Sequence, residues 1–393
     1  MQGGPLSGGF RLLLVCCLFL VQPAGSLPAA AARQGRALWV VRHTLLSRES
    51  IDNLVERSAR AGFDNLFVQV CGRGDAFFPS KVFPRAESYA RCPDPAFDPL
   101  AYLLDKAHAR GIKVHAWVNT LLVWSSPKPP ADPSHVLNAH PEWMMVDRQG
   151  VSLARYSRSK FNKLGVTGVF MSVAEPEARG LVCRFLLDLA ARYPVDGIHF
   201  DYLRYPMSSV DFNPGLRREF QAAYGVDPLE LAALTAGRSS GSNAENARLE
   251  RAWTAFRAEA VSRFLREVAT ALNEKKPGLV RSAAVKPDID SAFRVFGQQW
   301  PLWVREGLVD LVLPMAYSTD RDKVYGQIAQ ACEAVGAGHV WAGLRAYDVP
   351  VAGIVERVRR IKSLQPAGYC FFSYNGVENI PGFFESVPKE LVP

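Results

Sequence analysis

Eight short apolar runs recur along the chain, and each is followed by a stretch in which apolar residues return every three to four positions. The runs are ALWVVR (37–42), NLFVQV (65–70), IKVHAWV (112–118), DGIHFD (196–201), VRSAAV (280–285), VDLVLPMAY (309–317), HVWAGLRAY (339–347) and GYCFFSY (368–374). Runs of this length, rich in β-branched and aromatic residues, predict buried strands. The stretches near 48–61, 98–110, 176–193, 249–275, 297–306, 321–335 and 350–363, with a short last one near 380–387, predict helices. Strand and helix in strict alternation, eight times over, predict an α/β fold, the (β/α)8 or TIM barrel. The segment KAHARGIKV (106–114) shows a junction: a helical pattern stops at Gly111 and the next strand follows at once.

Loop lengths break the symmetry of this pattern. The connections from helix to strand are short, whereas three from strand to helix are long, at 71–97, 119–175 and 202–248. Long loops of that kind gather at the C-terminal face of a barrel, where active sites lie. The run GRSSGSNAEN (237–246) reads as the flexible tip of the third, an insertion after the fourth strand. No internal sequence repeat is visible.

The first 32 residues carry one charge, Arg11, followed by LLLVCCLFLV (12–21) and the small residues SLPAAAA (26–32). That order is the one a secretory signal peptide has, with cleavage expected between Ser26 and Arg33. Ten apolar residues are too few to span a bilayer, which takes about 20, and no later stretch is long and apolar enough. The expectation is therefore a protein exported to the periplasm or beyond, with residues 33–393 forming one barrel domain and no transmembrane segment after signal removal.

Charge narrows the picture little. The chain is +8, and loss of Arg11 with the leader leaves +7. Its basic residues are scattered through helical patterns such as RVRRIKS (357–363), without the aromatic-interleaved basic run of a nucleic-acid binder, so no nucleic-acid partner is expected. Five cysteines follow the leader, at Cys71, Cys92, Cys183, Cys332 and Cys370, and no pair has CxxC spacing. No metal site and no cofactor are expected from them. Cys71 and Cys92 bracket one long loop, and an oxidising compartment would let them bridge.

At this point the sequence resembles a known family, the bacterial glycosyl hydrolase-like 10 proteins. The resemblance rests on GFDNLFVQVCGRGDAFFPS (62–80), FDPLAYLLDKAHARGIKVHAWVN (97–119), HPEWMMVDRQG (140–150), VDGIHFDYLRYP (195–206) and VDLVLPMAYS (309–318), and runs from about Ala37 to about Asn379. It departs at Cys71, where a basic residue is expected. The resemblance implies a barrel that cleaves cell-wall or related glycans.

Glycoside cleavage commonly uses two carboxyl groups, one to protonate the leaving oxygen and one to act as nucleophile or to activate water. Asp201 is the leading candidate. It ends the fourth strand, and alternation puts it on the same face as Gly197 and His199, taken as the barrel interior. The plainer reading of Asp201 is a turn cap or a partner of Arg204. For the second carboxylate, Asp75 just past strand two and Asp288 just past strand five stand level. Arg73 and Asp75, in the run GRGD, would equally form a tight turn paired to itself. Arg204 beside Asp201 would keep it ionised, which suits a nucleophile or base and leaves the acid to Asp75 or Asp288.

Sugars present apolar C–H faces and many hydroxyls, so aromatic rings, amides and guanidinium groups at strand ends are candidate binding groups. On that ground the expected substrate set is Arg73, Trp117, Asn119, His199, Arg204, Tyr205, Lys286, Tyr317, Arg345, Tyr347 and Tyr374, with Trp124 and Trp143 extending the groove from the long loops. The pattern DGIHFDYL also resembles that of chitinases, but Leu203 stands where their catalytic Glu would be. HExxH, P-loop and G-x-G-x-x-G patterns are absent from the sequence. Two functions remain: a monomeric glycoside hydrolase acting on peptidoglycan glycan strands or another exported polysaccharide, and a non-catalytic glycan-binding barrel. A second carboxylate facing Asp201 would separate them.

Overall fold

Eight of the ten strands among the described residues close on themselves. A computed structural model of the chain describes residues 1, 34–92, 94, 96–231 and 240–391; the chain divides after Arg33, and the unit from Gln34 onward carries everything below. The strands are β1 (Gly35–Val40), β2 (Asn65–Cys71), β3 (Lys113–Asn119), β4 (Leu122–Trp124), β5 (Val169–Phe170), β6 (Gly197–Asp201), β7 (Val280–Val285), β8 (Leu311–Ala316), β9 (Trp341–Arg345) and β10 (Gly368–Phe372). Around the barrel they run β1-β10-β9-β8-β7-β6-β3-β2, all parallel, while β4 and β5 form a separate antiparallel pair. The eight barrel strands are the eight predicted runs. The expected signal peptide and its cleavage site lie outside the described residues.

The helices fall where the periodicity placed them, among them Arg48–Ala61, Pro176–Arg192, Arg321–Val335 and Val351–Lys362. Local chemistry fixes their ends. Ser47 caps the first by accepting the Ser50 N–H at 3.1 Å, and Gly62 stops it in a left-handed turn. The departures include the helix Pro214–Tyr224, inside the stretch read as a loop, and the helix Ser240–Lys275, which starts earlier than the sequence suggested. Residues 240–246, read as a flexible tip, are its first turns, and the rest of that tip lies outside the described residues.

Two cores result. The larger lies between the strands and the surrounding helices. The smaller is the barrel interior, where Ala37, Trp39, Phe67, Trp117, Leu313, Trp341 and Cys370 form a cluster of their own. Large rings fit there because glycine stands opposite them. A Cβ on Gly35 or Gly368 would lie 2.3 or 2.6 Å from the Trp341 ring, and one on Gly197 would lie 2.3 Å from His115 Nδ1. Layers of large and small side chains of this kind fill a barrel to interior density.

The expected Cys71–Cys92 bridge is not formed: all five cysteines among the described residues are free. Cys71 faces the apolar core at the end of β2, and burial pushes its thiol far up. Cys92 is half-buried after the turn Glu87–Arg91, its Sγ against the Asp94 carbonyl at 3.4 Å. Among the described residues no helix is long and apolar enough to cross a membrane.

Candidate active site

The barrel's C-terminal end opens into a cleft of about 360 Å³. Its floor is the top layer of the interior, Trp39 from β1, Trp117 from β3, Met315 from β8 and Phe372 from β10. Its walls are Arg42, Gln69, Asn119, Asp201, Tyr202, Arg204 and Tyr317 on the barrel side, with Leu122 of β4 and Ser125 and Thr167, which flank the β4–β5 pair, opposite. The strand pairing slips between Gln69 and Cys71 where β2 meets β3. Irregularities of this kind re-aim side chains beside sites.

Asp201 sits where the alternation of β6 put it, paired in register with Asn119 at the end of β3. Directly after it, Tyr202 adopts φ 51°, a left-handed turn that non-glycine residues seldom take. The turn carries the Tyr202 N–H back onto Asp201 Oδ1 at 2.7 Å. It is anchored from below, because the Tyr205 N–H donates to the Phe296 carbonyl at 2.9 Å and the Tyr205 hydroxyl to the Arg257 carbonyl at 3.0 Å.

Asp201 is 8% exposed. Burial pushes its carboxyl above the usual aspartate range, with Arg204, the Tyr202 N–H, the Trp117 indole and Lys286 pulling the other way. The expectation that Arg204 would hold Asp201 ionised is thereby corrected: desolvation outweighs the guanidinium, and the result suits a proton donor. Lys286 feels the same setting. Burial, reinforced by the positive Arg204 and opposed by Asp201, pushes its amine down to about 8.

A chain of polar contacts ties the first three strands together under the cleft. Arg42 Nη1 donates to Gln69 Oε1 at 2.8 Å, Gln69 Nε2 lies 3.4 Å from Asn119 Oδ1, and the Trp117 indole N–H donates to that same oxygen at 3.0 Å. Asn119 in turn donates to the Gly72 carbonyl at 2.8 Å. Below Asp201 the network is closed: the Trp39 indole N–H donates to His199 Nε2 at 3.0 Å, and His199 Nδ1 lies 2.9 Å from the Ser282 hydroxyl. His199 is thus a satisfied core histidine beneath the floor, and burial lowers its pKa well below the usual value.

The other expected residues divide. Trp117, Asn119, Arg204 and Tyr317 line the cleft with Asp201. Lys286 stands just behind it, its amine 4.5 Å from the centre of the Phe296 ring. Asp75 is 3% exposed and lies outside the lining; its Oδ1 accepts the Arg73 N–H at 3.0 Å and its Oδ2 lies 3.7 Å from the Arg73 guanidinium. That is the self-paired tight turn. Arg73 itself stacks on Trp124 at 4.4 Å. Asp288 is exposed and caps the helix Ile289–Arg294, accepting the Ser291 N–H at 2.8 Å. Arg345 is bound by Asp348 and packs over Tyr347, at the rim rather than in the cleft. Tyr205 is fully buried in the larger core, and Tyr374 packs toward Phe384, both away from the cleft. Trp124 is buried and Trp143 stacks on His140 at 3.7 Å.

Among the described residues, then, Asp201 is the one carboxylate lining the cleft. The residues that sequence reasoning missed are Arg42, Gln69, Trp39 and Phe372. Gln69 lies two positions after Phe67 and so shares its inward face, and Arg42 sits just beyond β1.

A closed parallel barrel with long strand-to-helix loops and an aromatic cleft at its carboxyl end is the architecture of the TIM-barrel glycoside hydrolases, and its structural neighbours are of that class. They include the glycoside hydrolase domain of PgaB (BpsB) from Bordetella bronchiseptica, with TM-score 0.69 and 15% identity over 91% of this chain and 99% of that one. The α-L-fucosidase isoenzyme 2 of Paenibacillus thiaminolyticus matches with TM-score 0.60 and 15% identity over 91% of this chain and 49% of that one. The chain belongs to the glycosyl hydrolase-like 10 family, whose sequence model matches residues 34–358. Among curated relatives it is 28% identical to glycosyl hydrolase DigH of Escherichia coli K12 over 234 residues, 50% of this chain and 49% of that protein. It is 21% identical to glycosyl hydrolase YngK of Bacillus subtilis over 339 residues, 78% of this chain and 59% of that protein. The matched regions thus cover about half of one relative and under two thirds of the other.

Proposed function

We propose that the protein is an exported glycoside hydrolase that cleaves peptidoglycan glycan strands, with Asp201 as the proton donor. The observation that carries this reading is a lone cleft carboxylate whose buried setting favours its protonated form. A single acid needs a nucleophile from elsewhere, and the 2-acetamido group of an amino sugar supplies one. Substrate-assisted cleavage is an established exception to the paired-carboxylate rule. Asp201 gives its proton to the glycosidic oxygen as the bond from that oxygen to C1 breaks. The acetamido carbonyl oxygen bonds to C1 from the other face and forms an oxazolinium ion. Water then attacks C1, its proton returns to Asp201, and the acetamido group is released. One water is consumed, one glycosidic bond is broken, and the anomeric configuration is retained. Peptidoglycan strands are built of 2-acetamido sugars, and the cationic wall of Arg42 and Arg204 suits those that also carry carboxylates.

The test is incubation of the mature chain with purified glycan strands and with chito-oligosaccharides, native and de-N-acetylated. New reducing ends from the acetylated substrates, of retained configuration by NMR, are the expected result. Equal rates on de-N-acetylated material would remove the acetamido nucleophile. Saturable binding with no new reducing ends would favour a glycan-binding barrel, the reading to which a single carboxylate also lends itself.

The pH profile should respond to Lys286. Its positive charge favours the ionised form of Asp201, so Lys286→Met lets Asp201 hold its proton to higher pH. The basic limb of kcat/KM is expected to move upward. A limb that stays in place would show that Asp201 does not control it.

A further inference from the structure

A second pocket, of about 420 Å³, lies at the opposite end of the barrel. Its floor is Arg36, the second residue of β1, whose side chain points outward because Ala37 and Trp39 point in. The Arg36 side chain is nine-tenths buried, and its Nε makes no hydrogen bond among the described residues. The Asp64 carboxylate is 3.6 Å from that Nε, beyond hydrogen-bond reach. Its pairing with Asp64 leaves the buried Nε without a hydrogen bond, and a further anion at this guanidinium would offset that cost.

The walls add positive charge. Arg57 and Arg60 come from the last turns of the helix Arg48–Ala61, and Lys389 from the last turn of the helix Phe383–Glu390. Glu385 is the one carboxylate in the lining, and Glu56, outside it, binds Arg60 at 2.8 Å. Arg57 and Lys389 have no carboxylate partner among the salt bridges of the described residues. Arg57 packs on the Phe384 ring at 4.8 Å, which holds its guanidinium in place at the wall. The carbonyl end of the first helix offers the cluster only about half a negative charge, less than the cations gathered beside it.

We propose that this pocket is an oxyanion site that takes a phosphate group, with the Arg36 guanidinium beneath it and Arg57, Arg60 and Lys389 around it. Planar guanidinium forks suit phosphate oxygens, and two flexible cations at the mouth can close on them. The site faces away from the Asp201 cleft and takes no part in glycan cleavage. A phosphate reaches it either as a small soluble phosphate or as a headgroup on an anionic membrane.

The experiment is a titration of the mature protein with inorganic phosphate, read by calorimetry and by thermal shift at constant ionic strength. Alongside it, co-sedimentation uses vesicles of phosphatidylglycerol in phosphatidylcholine. The wild type is compared with the exposed double variant Arg60→Gln/Lys389→Gln, which leaves the buried Arg36 in place and spares the fold. Phosphate binding that is saturable and about tenfold or more weaker in the variant supports the site. Vesicle binding lost in the variant supports it with a lipid headgroup as the source. Phosphate binding without vesicle binding supports it with a soluble source. A phosphate response matched by chloride, or one equal in wild type and variant, together with no variant-sensitive vesicle binding, overturns it.

Discussion

Asp201→Asn is expected to keep the fold and glycan affinity and to lower cleavage by on the order of 10³-fold. The change is nearly isosteric, and an amide oxygen can still accept the Tyr202 N–H that now reaches Asp201 Oδ1 at 2.7 Å. The floor below it, with Trp39 bonded to His199 and His199 to Ser282, does not touch the altered atom. What disappears is the exchangeable proton whose place on the carboxyl burial favours. Reducing-end release measures the rate, and binding to immobilised glycan strands measures the affinity. A variant that cleaves at the wild-type rate would take Asp201 out of the chemistry. A loss of both binding and cleavage, with an unchanged melting curve, would make it a binding residue instead.

Gly343→Val is expected to destabilise the barrel by about 3 kcal/mol or more and to impair the cleft with it. A Cβ at Gly343 would lie 2.6 Å from the Pro314 carbonyl oxygen and 2.7 Å from the end of the Trp39 ring. The carbonyl belongs to β8 and cannot step aside without loosening the β8–β9 pairing, in which Met315 and Gly343 are partners. The ring can yield only toward Phe67, Tyr317 and Phe372, which pack around it at centroid distances of 6.3, 6.3 and 6.1 Å. Thermal melts of wild type and variant check the first effect. A melting point within about two degrees of wild type would mean that the interior is looser than its packing implies.

The strands were legible because burial on both faces gave each a short, nearly unbroken apolar run, and the helices because one face of each meets those strands. The pair β4–β5 was not legible. Its strands are three and two residues long and lie inside a loop, too short to show a period. The start of the helix Ser240–Lys275 escaped because its first residues are polar and small. In the cleft, Asp201, Trp117 and Asn119 followed from strand phase alone. Tyr205 and Tyr374 did not, because proximity to a strand end fails once the chain turns, as it does at Tyr202. Asp75 and Asp288 went the same way: both sit just past strands, but one is held by its own turn and the other by a helix start. The direction of the shift at Asp201 lay beyond the sequence, since Arg204 could be named as a neighbour but the depth of burial that outweighs it could not.

The β4–β5 pair and its flanks supply one wall of the cleft through Leu122, Ser125 and Thr167, yet the pair has no place in the closed ladder of eight strands. The two segments approach so closely that a Cβ on Gly168, just before β5, would come within 2.0 Å of the Trp124 carbonyl oxygen. The stretch between Ser125 and Thr167 runs between those two ends and is pinned on the way by buried Val136, Met144, Met145, Leu153 and Phe161. Exchanges at its exposed positions leave every barrel register intact, because the stretch lies outside the ladder, which the chain re-enters at β6. Exposed positions of that stretch can thus vary what the cleft admits without touching the ladder, whereas any change in the floor must be matched on several strands at once. Over generations, new specificities in this lineage should enter through the wall and leave the floor as they found it.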